Sequence, residues 1–334
     1  MSKPPILLTR RIPQAGLDLL DRFCEVRMWE KEAVVPTEWL MEHVPSAKGL
    51  VCLLTDQIDK PVLDVASSLK VVSTMAVGYD HINIAECTRR GIPVGYTPGV
   101  LTETTADFAF ALMMAAARRV VEGASFVKEG RWKTWSPTFL LGQDLHEATL
   151  GIVGFGRIGQ AMARRAKGFS MRVLACCASK QVGPQDEGLQ DVEFRDFQTV
   201  LKESDFVSLH VPLTPQTHHL IGKTELQRMK TSSILINTAR GRVIDSDALY
   251  EALGHHVIAY AALDVTDPEP IPVNDRLLTL SNCLIVPHIA SASVATRSKM
   301  AVMTADNLLA GLKGERLPFI VNPEVYGNAK KERA

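Results

Sequence analysis

The chain has 334 residues, with 37 Lys+Arg against 37 Asp+Glu and 46% hydrophobic residues. At roughly 100–200 residues per domain, that length accommodates about two domains, each able to bury its own core. A formal net charge of zero gives no overall field to hold a nucleic acid or an anionic membrane surface, and no stretch of about 18 uninterrupted apolar residues exists to span a bilayer.

Met1-Ser2-Lys3-Pro4-Pro5 leads into a short apolar stretch, too brief for the core of a secretory signal. The C-terminal Lys331-Glu332-Arg333-Ala334 matches no retention or peroxisomal address, so the expected location is the cytoplasm. Cys24, Cys52, Cys87, Cys176, Cys177 and Cys283 are scattered along the chain. They read as reduced, buried thiols rather than disulfides, and their spacing fits no zinc site, so no metal is expected.

Short apolar runs recur, each followed by a longer segment of helical periodicity, the pattern of alternating parallel strands and helices. Ile6 to Thr9, Val26 to Trp29, Leu50 to Leu54, Val71 to Thr74 and Pro93 to Tyr96 are five expected strands. Next comes an expected capped helix, beginning Thr104-Thr105-Ala106-Asp107 and apolar to Ala117. Trp132, Trp135, Pro137 and Phe139 follow without a regular period. Two readings of that segment stand side by side: a connection folded onto its own chain, or an arm packed on a second subunit. A second series follows: Leu150 to Val153, Val173 to Cys176, Phe206 to Leu209, Ile234 to Asn237, Ala259 to Leu263 and Leu284 to Val286. Six strands suit a dinucleotide-binding sheet. The last helical pattern, Val294 to Leu312, falls after them and can return to the first domain.

Gly154-Phe155-Gly156-Arg157-Ile158-Gly159 fits G-x-G-x-x-G and stands directly between an expected strand and a helix with one apolar face. A tight glycine turn lets a pyrophosphate approach the positive end of such a helix. An NAD ribose is usually met by an acid about 20 positions later, but Ala175-Cys176-Cys177-Ala178-Ser179-Lys180 contains none. Ser179 and Lys180 can bond and neutralise a 2′-phosphate, which favours NADP(H) and leaves NAD(H) possible. In the other reading, Lys180 is a solvated surface lysine and the pocket is unselective.

Three segments then follow strands at the edge where open α/β sheets bind ligands: Asn237-Thr238-Ala239-Arg240-Gly241, Asp264 to Pro270, and Pro287-His288-Ile289-Ala290-Ser291. Separately, Arg240 reads as a surface ion pair, Glu269 as a turn acid and His288 as a loop histidine; together they read as one crevice. His218-His219 and His255-His256 read as surface pairs.

These segments resemble the D-isomer-specific 2-hydroxyacid dehydrogenases almost end to end. Within that family, Ala76 to Asp80, Tyr96 to Thr102 and Trp132 to Gly142 resemble the glyoxylate/hydroxypyruvate reductases. The resemblance implies an α/β fold of two doubly wound parallel-sheet domains. A Rossmann cofactor domain, 101–291, would be inserted in a flavodoxin-like substrate domain, 1–100 with 292–334. It also implies Arg240 as the carboxylate-binding residue, His288 as acid/base and Glu269 as its partner, with Leu53 and the Val77 and Gly78 amides as substrate contacts from the other domain. Cofactor contacts would come from Thr105, Gly154, Gly156, Arg157, Ile158, Gly159, Cys177, Ser179, Lys180, Val211, Pro212, Thr217, Thr238, Ala239, Asp264, His288 and Ala290. Asp264 would hold the nicotinamide carboxamide, and Ala290 stands where the family commonly has glycine.

The residue types suit that chemistry. Reducing a 2-keto acid by hydride transfer puts negative charge on the carbonyl oxygen, which a protonated His288 can neutralise while Glu269 stabilises the imidazolium. Arg240 can grip a carboxylate bidentately and orient the keto carbon. The expected activity is reduction of glyoxylate to glycolate and hydroxypyruvate to D-glycerate by a homodimer. The rivals are a relative acting on phosphite or a longer D-2-hydroxy acid, and a non-catalytic NAD(H)-sensing protein like the corepressors that resemble this family. A methyltransferase shares the glycine turn but has no use for the His288 and Glu269 pair.

Overall fold

A computed structural model of the chain describes residues 2–177 and 188–328. It contains two compact units: Met1–Leu101 with Ala292–Ala334, and Thr102–Ser291.

In the first unit, β1 (Pro5–Leu8), β2 (Glu25–Met28), β3 (Gly49–Cys52), β4 (Val71–Thr74) and β5 (Val94–Gly95) form one parallel sheet in the order β2-β1-β3-β4-β5. That is the flavodoxin-like order. Parallel sheets are covered on both faces, so their inner strands are buried along their length and carry no charge. Every residue of β3 and β4 is accordingly buried, while Glu25 and Arg27 of the edge strand β2 are exposed. Leu40, Val44, Val62 and Leu63 cover one face. Ala301, Ala305 and Leu308, of the helix Val294–Lys313, help cover the other. The Ser293 hydroxyl caps that helix, accepting the Thr296 N–H at 3.1 Å, and Gly314 ends it at φ 77°.

The second unit holds β6 (Thr149–Val153), β7 (Arg172–Cys176), β8 (Glu193–Phe194), β9 (Phe206–Leu209), β10 (Ile234–Asn237), β11 (Tyr260–Leu263) and β12 (Cys283–Ile285). They run parallel in the order β12-β11-β10-β9-β6-β7-β8. This is the doubly wound Rossmann arrangement with one strand added, and its order reverses between β6 and β9.

Two expectations need correction. Strand β8 went unforeseen because it has only two residues, both half-buried, and one is Glu193, which pairs with Arg172 of β7 at 2.8 Å. The helix expected to be capped near Thr104 spans Thr102–Ala117, so Thr104, Thr105 and Asp107 lie within it; its buried Ala106, Ala109, Phe110 and Met113 drive its packing.

Trp132, Trp135 and Leu141 are 62%, 77% and 67% exposed, so this segment is not folded into its own unit's core. Phe139 does meet a ring, Phe126, at 4.5 Å. Cys24, Cys52, Cys87 and Cys176 are buried, whereas Cys177 and Cys283 are half-buried rather than buried. Among the described residues, no helix is long and apolar enough to cross a membrane.

Candidate active site

At the carboxyl end of β6 the chain turns through Gly154, whose φ of 96° is in the left-handed region that glycine alone adopts freely. A side chain there would also strike the His210 carbonyl oxygen at 2.7 Å, so the turn lies against the end of β9. A Cβ on Gly159 would come within 2.3 Å of the Gly154 oxygen, whereas one on Gly156 would meet, beyond its own chain neighbours, no atom of the described residues within 4 Å. The first and third glycines are thus required by the fold, and the second leaves open space at the start of the helix Arg157–Lys167. Arg157 is exposed and Ile158 half-buried there.

Beyond β9, Val211 and Pro212 begin a loop that Thr217 folds back on itself, its hydroxyl donating to the Pro212 carbonyl at 2.6 Å. Thr105 is buried on the helix Thr102–Ala117. Cys177, just past β7, is half-buried, and Ser179 and Lys180 lie outside the described residues. His210 donates its backbone N–H to the Val153 carbonyl, and its ring Nε2 lies 2.9 Å from the Ser208 hydroxyl. Burial holds its imidazole down at about 4, so it is neutral at physiological pH.

After β10, Asn237 shapes the next loop. Its buried side chain accepts the Ala239 N–H at 2.9 Å and donates to the Arg240 carbonyl at 2.9 Å. Arg240 Nη1 donates to the Ala239 carbonyl at 2.8 Å. A Cβ on Gly241 would sit 1.9 Å from the Thr266 oxygen, so this loop is pressed against the one that follows β11. Arg242 Nε to Asp267 Oδ1, at 3.1 Å, adds a second tie. The Thr238 hydroxyl is buried with no hydrogen-bond partner among the described residues.

Asp264, 1% exposed at the end of β11, accepts the Ile289 N–H at 2.7 Å with Oδ1 and the Ala290 N–H at 2.9 Å with Oδ2. Burial pushes its carboxyl up from the usual aspartate range, and the two amides oppose that rise. Its carbonyl also accepts the His288 N–H at 2.9 Å. His288 is thereby held at φ 51°, a conformation in which non-glycine residues cluster at functional sites. Its Nδ1 lies 2.6 Å from Glu269 Oε1. Both side chains are about three-quarters buried, at 22% and 26% exposure, so solvent weakens the pair less than at an open surface.

The second unit therefore carries Arg240, Glu269 and His288 in the loops after three adjacent strands, β10, β11 and β12, at the same carboxyl edge of the sheet as the glycine turn after β6. Asn237 and Gly241, which the sequence marks only as the ends of the arginine segment, shape its loop, and Asp264 has a role toward His288 that the motif alone does not show. Leu53, Val77 and Gly78 are half-buried at the carboxyl edge of the first unit's sheet.

Residues 110–290 match the family model described as D-isomer specific 2-hydroxyacid dehydrogenase, NAD binding domain. A glyoxylate reductase of Korarchaeum cryptofilum is 52% identical over 324 residues, 97% of each chain. The chain belongs to the D-isomer specific 2-hydroxyacid dehydrogenases. A glyoxylate reductase of Thermococcus litoralis is 48% identical, covering 97% of this chain and 98% of its own. Among solved structures, a Thermus thermophilus protein aligns with a TM-score of 0.88 at 46% identity, over 95% of this chain and 99% of that one. An NADPH-dependent glyoxylate/hydroxypyruvate reductase of Sinorhizobium meliloti, in complex with NADP and malonate, aligns with a TM-score of 0.82 at 30% identity, over 96% and 98%.

As a D-2-hydroxyacid dehydrogenase the protein is an NAD(P)-dependent oxidoreductase, and its own residues fit a dinucleotide. The space at Gly156 would be filled by a Cβ, the adjoining helix begins there, and the Thr238 hydroxyl has no hydrogen-bond partner among the described residues.

Proposed function

We propose that the protein reduces small 2-keto acids with NAD(P)H, taking glyoxylate to glycolate and hydroxypyruvate to D-glycerate. The observation that carries this reading is the His288–Glu269 contact at 2.6 Å in the same unit as the glycine turn. A bound nicotinamide supplies the hydride. Glu269 holds Nδ1 of His288, which leaves Nε2 to give its proton to the carbonyl oxygen as negative charge grows there. Arg240 takes the substrate carboxylate and fixes its orientation. The Val77 and Gly78 amides and Leu53 are proposed substrate contacts of the first unit. Besides the glycine turn, the proposed cofactor contacts are Thr105, Arg157, Ile158, Cys177, Val211, Pro212, Thr217, Thr238, Ala239, Asp264 and Ala290.

NADP(H) is the proposed preference, supported by the lack of an acid between Ala175 and Lys180. A homodimer is proposed as well, supported by the exposed Trp132, Trp135 and Leu141, whose apolar surface a second copy would cover. Steady-state rates with NADPH and NADH, on glyoxylate and on hydroxypyruvate, test cofactor and substrate together, and sedimentation tests the dimer. Equal efficiency with the two cofactors would remove the preference. Absence of turnover with every small 2-keto acid would leave the cofactor-sensing reading in its place.

A further inference from the structure

A group of buried polar side chains lies at the carboxyl edge of the first unit's sheet, where a core has no need of them. Asp56 is 1% exposed, His81 6%, and Thr9 and Thr74 at most 1%. Burying such groups costs free energy unless they are bonded; Thr9 Oγ1 and Asp56 Oδ1 have no hydrogen-bond partner among the described residues, and the bonds that are made run to two loops. Asp56 Oδ2 accepts the Leu53 N–H at 2.7 Å, and the Asp56 N–H donates to the Leu53 carbonyl at 3.1 Å, so the loop after β3 closes on this residue in both directions. His81 Nε2 lies 3.1 Å from Thr74 Oγ1, at the end of β4, and 3.9 Å from Cys52 Sγ, at the end of β3.

The segment from Met75 to Asp80, which contains Val77 and Gly78, is thus pinned at its far end to the strand it leaves. The two loops are also joined to each other. The Ile58 N–H donates to the His81 carbonyl at 3.0 Å, the Asn83 N–H to the Ile58 carbonyl at 2.9 Å, and Met75 N–H to the Cys52 carbonyl at 3.1 Å.

We infer that Asp56 and His81 are positioning residues: a buried brace that holds the Leu53 loop and the Val77–Gly78 loop in the arrangement that receives the substrate. Resting on the reading above, this adds a specificity device to it. Neither side chain touches substrate; each acts through backbone it fixes, and a displacement of about 1 Å at such positions costs up to about a hundredfold in efficiency. Burial pushes the Asp56 carboxyl up, while the Leu53 amide and the nearby Arg10 charge oppose the rise, which agrees with a carboxyl retained for its bond to the Leu53 loop.

The test measures kcat, the KM for glyoxylate and the KM for NADPH in Asp56→Ala, Asp56→Asn, His81→Leu and His81→Gln, with Arg240→Ala alongside. Asp56→Ala and His81→Leu are expected to raise the glyoxylate KM about tenfold with the NADPH KM within about twofold of wild type, and the Asn and Gln variants to recover most of the loss. If Asp56→Ala or His81→Leu fails to fold, Thr74→Val, which removes the hydroxyl that meets His81 Nε2, is read instead. A glyoxylate KM unchanged in folded brace variants, with Arg240→Ala inactive, would overturn the brace and leave the active-site reading standing. A wild-type protein without 2-keto acid turnover, or an Arg240→Ala variant as active as wild type, would overturn both.

Discussion

His288 Nδ1 stands 2.6 Å from Glu269 Oε1, each offered by the loop that follows one of two neighbouring strands, β12 and β11. Parallel register brings the two loops out on one edge, so a histidine and an acid 19 residues apart meet without any local motif. Glu269→Gln keeps the shape of the acid but removes its charge, and kcat for glyoxylate reduction is expected to fall about 10- to 100-fold while the dissociation constant for NADPH is kept. Stopped-flow or steady-state assays with parallel cofactor titration check this. An unchanged kcat would mean that Glu269 does not assist His288.

Asp264 links the same histidine to the sheet. Asp264→Ala leaves the Ile289 and Ala290 amides, now accepted at 2.7 and 2.9 Å, without an acceptor. Stability is expected to drop by about 1–3 kcal/mol, and kcat to fall because the φ of 51° at His288 loses its support. Urea denaturation and kcat measured on one preparation separate the two effects, and loss of neither would show that the loop holds itself.

Much of this architecture is legible from residues alone. Val71–Thr74, Phe206–Leu209 and Ile234–Asn237 form strands at their expected bounds because a parallel sheet covered on both faces needs short, mostly apolar runs without charge. Strand β8 was not legible: an edge strand of two half-buried residues leaves almost no apolar pattern. The site divides in the same way. Glycine, arginine, histidine and acid announce themselves by type and by their place after strands. The work of Asp264 on two amides and of Asn237 on the Arg240 loop depends on distances that one chain of letters does not contain.

The glycine turn gives a prediction that separates folding from binding. Gly156→Ala adds a methyl group where, beyond the chain neighbours, no atom of the described residues lies within 4 Å, so its melting temperature is expected to stay within about 2 °C of wild type, while NADPH binding weakens at least about tenfold. Gly159→Ala, which would collide with the Gly154 oxygen at 2.3 Å, is expected to lower the melting temperature itself. Calorimetry and a fluorescence titration of NADPH read the two quantities; unchanged affinity in Gly156→Ala would place the pyrophosphate elsewhere.

His210 predicts a dependence of stability on pH. Its folded value is depressed from 6.5 to about 4, so its contribution is present above pH 6.5 and is lost as pH falls toward 4, because the unfolded chain takes up a proton that the folded one refuses. The loss amounts to roughly 3 kcal/mol when complete. Urea midpoints of wild type and His210→Asn are expected to run parallel above pH 6.5, and the wild type to fall relative to the variant as pH drops from 6.5 toward 4. Curves that stay parallel through that fall in pH would show that His210 is accessible to protons in the folded state.

The most direct measurement follows the loss of reduced-nicotinamide absorbance when NADPH and glyoxylate are mixed with wild type and with His288→Ala. Turnover by the wild type, and turnover slower by about 10²- to 10⁴-fold in a variant that still binds NADPH, is the expected result. Turnover that survives intact in His288→Ala, or a wild type that consumes no NADPH with any small 2-keto acid, would contradict the assignment of His288 as the proton donor in 2-keto acid reduction.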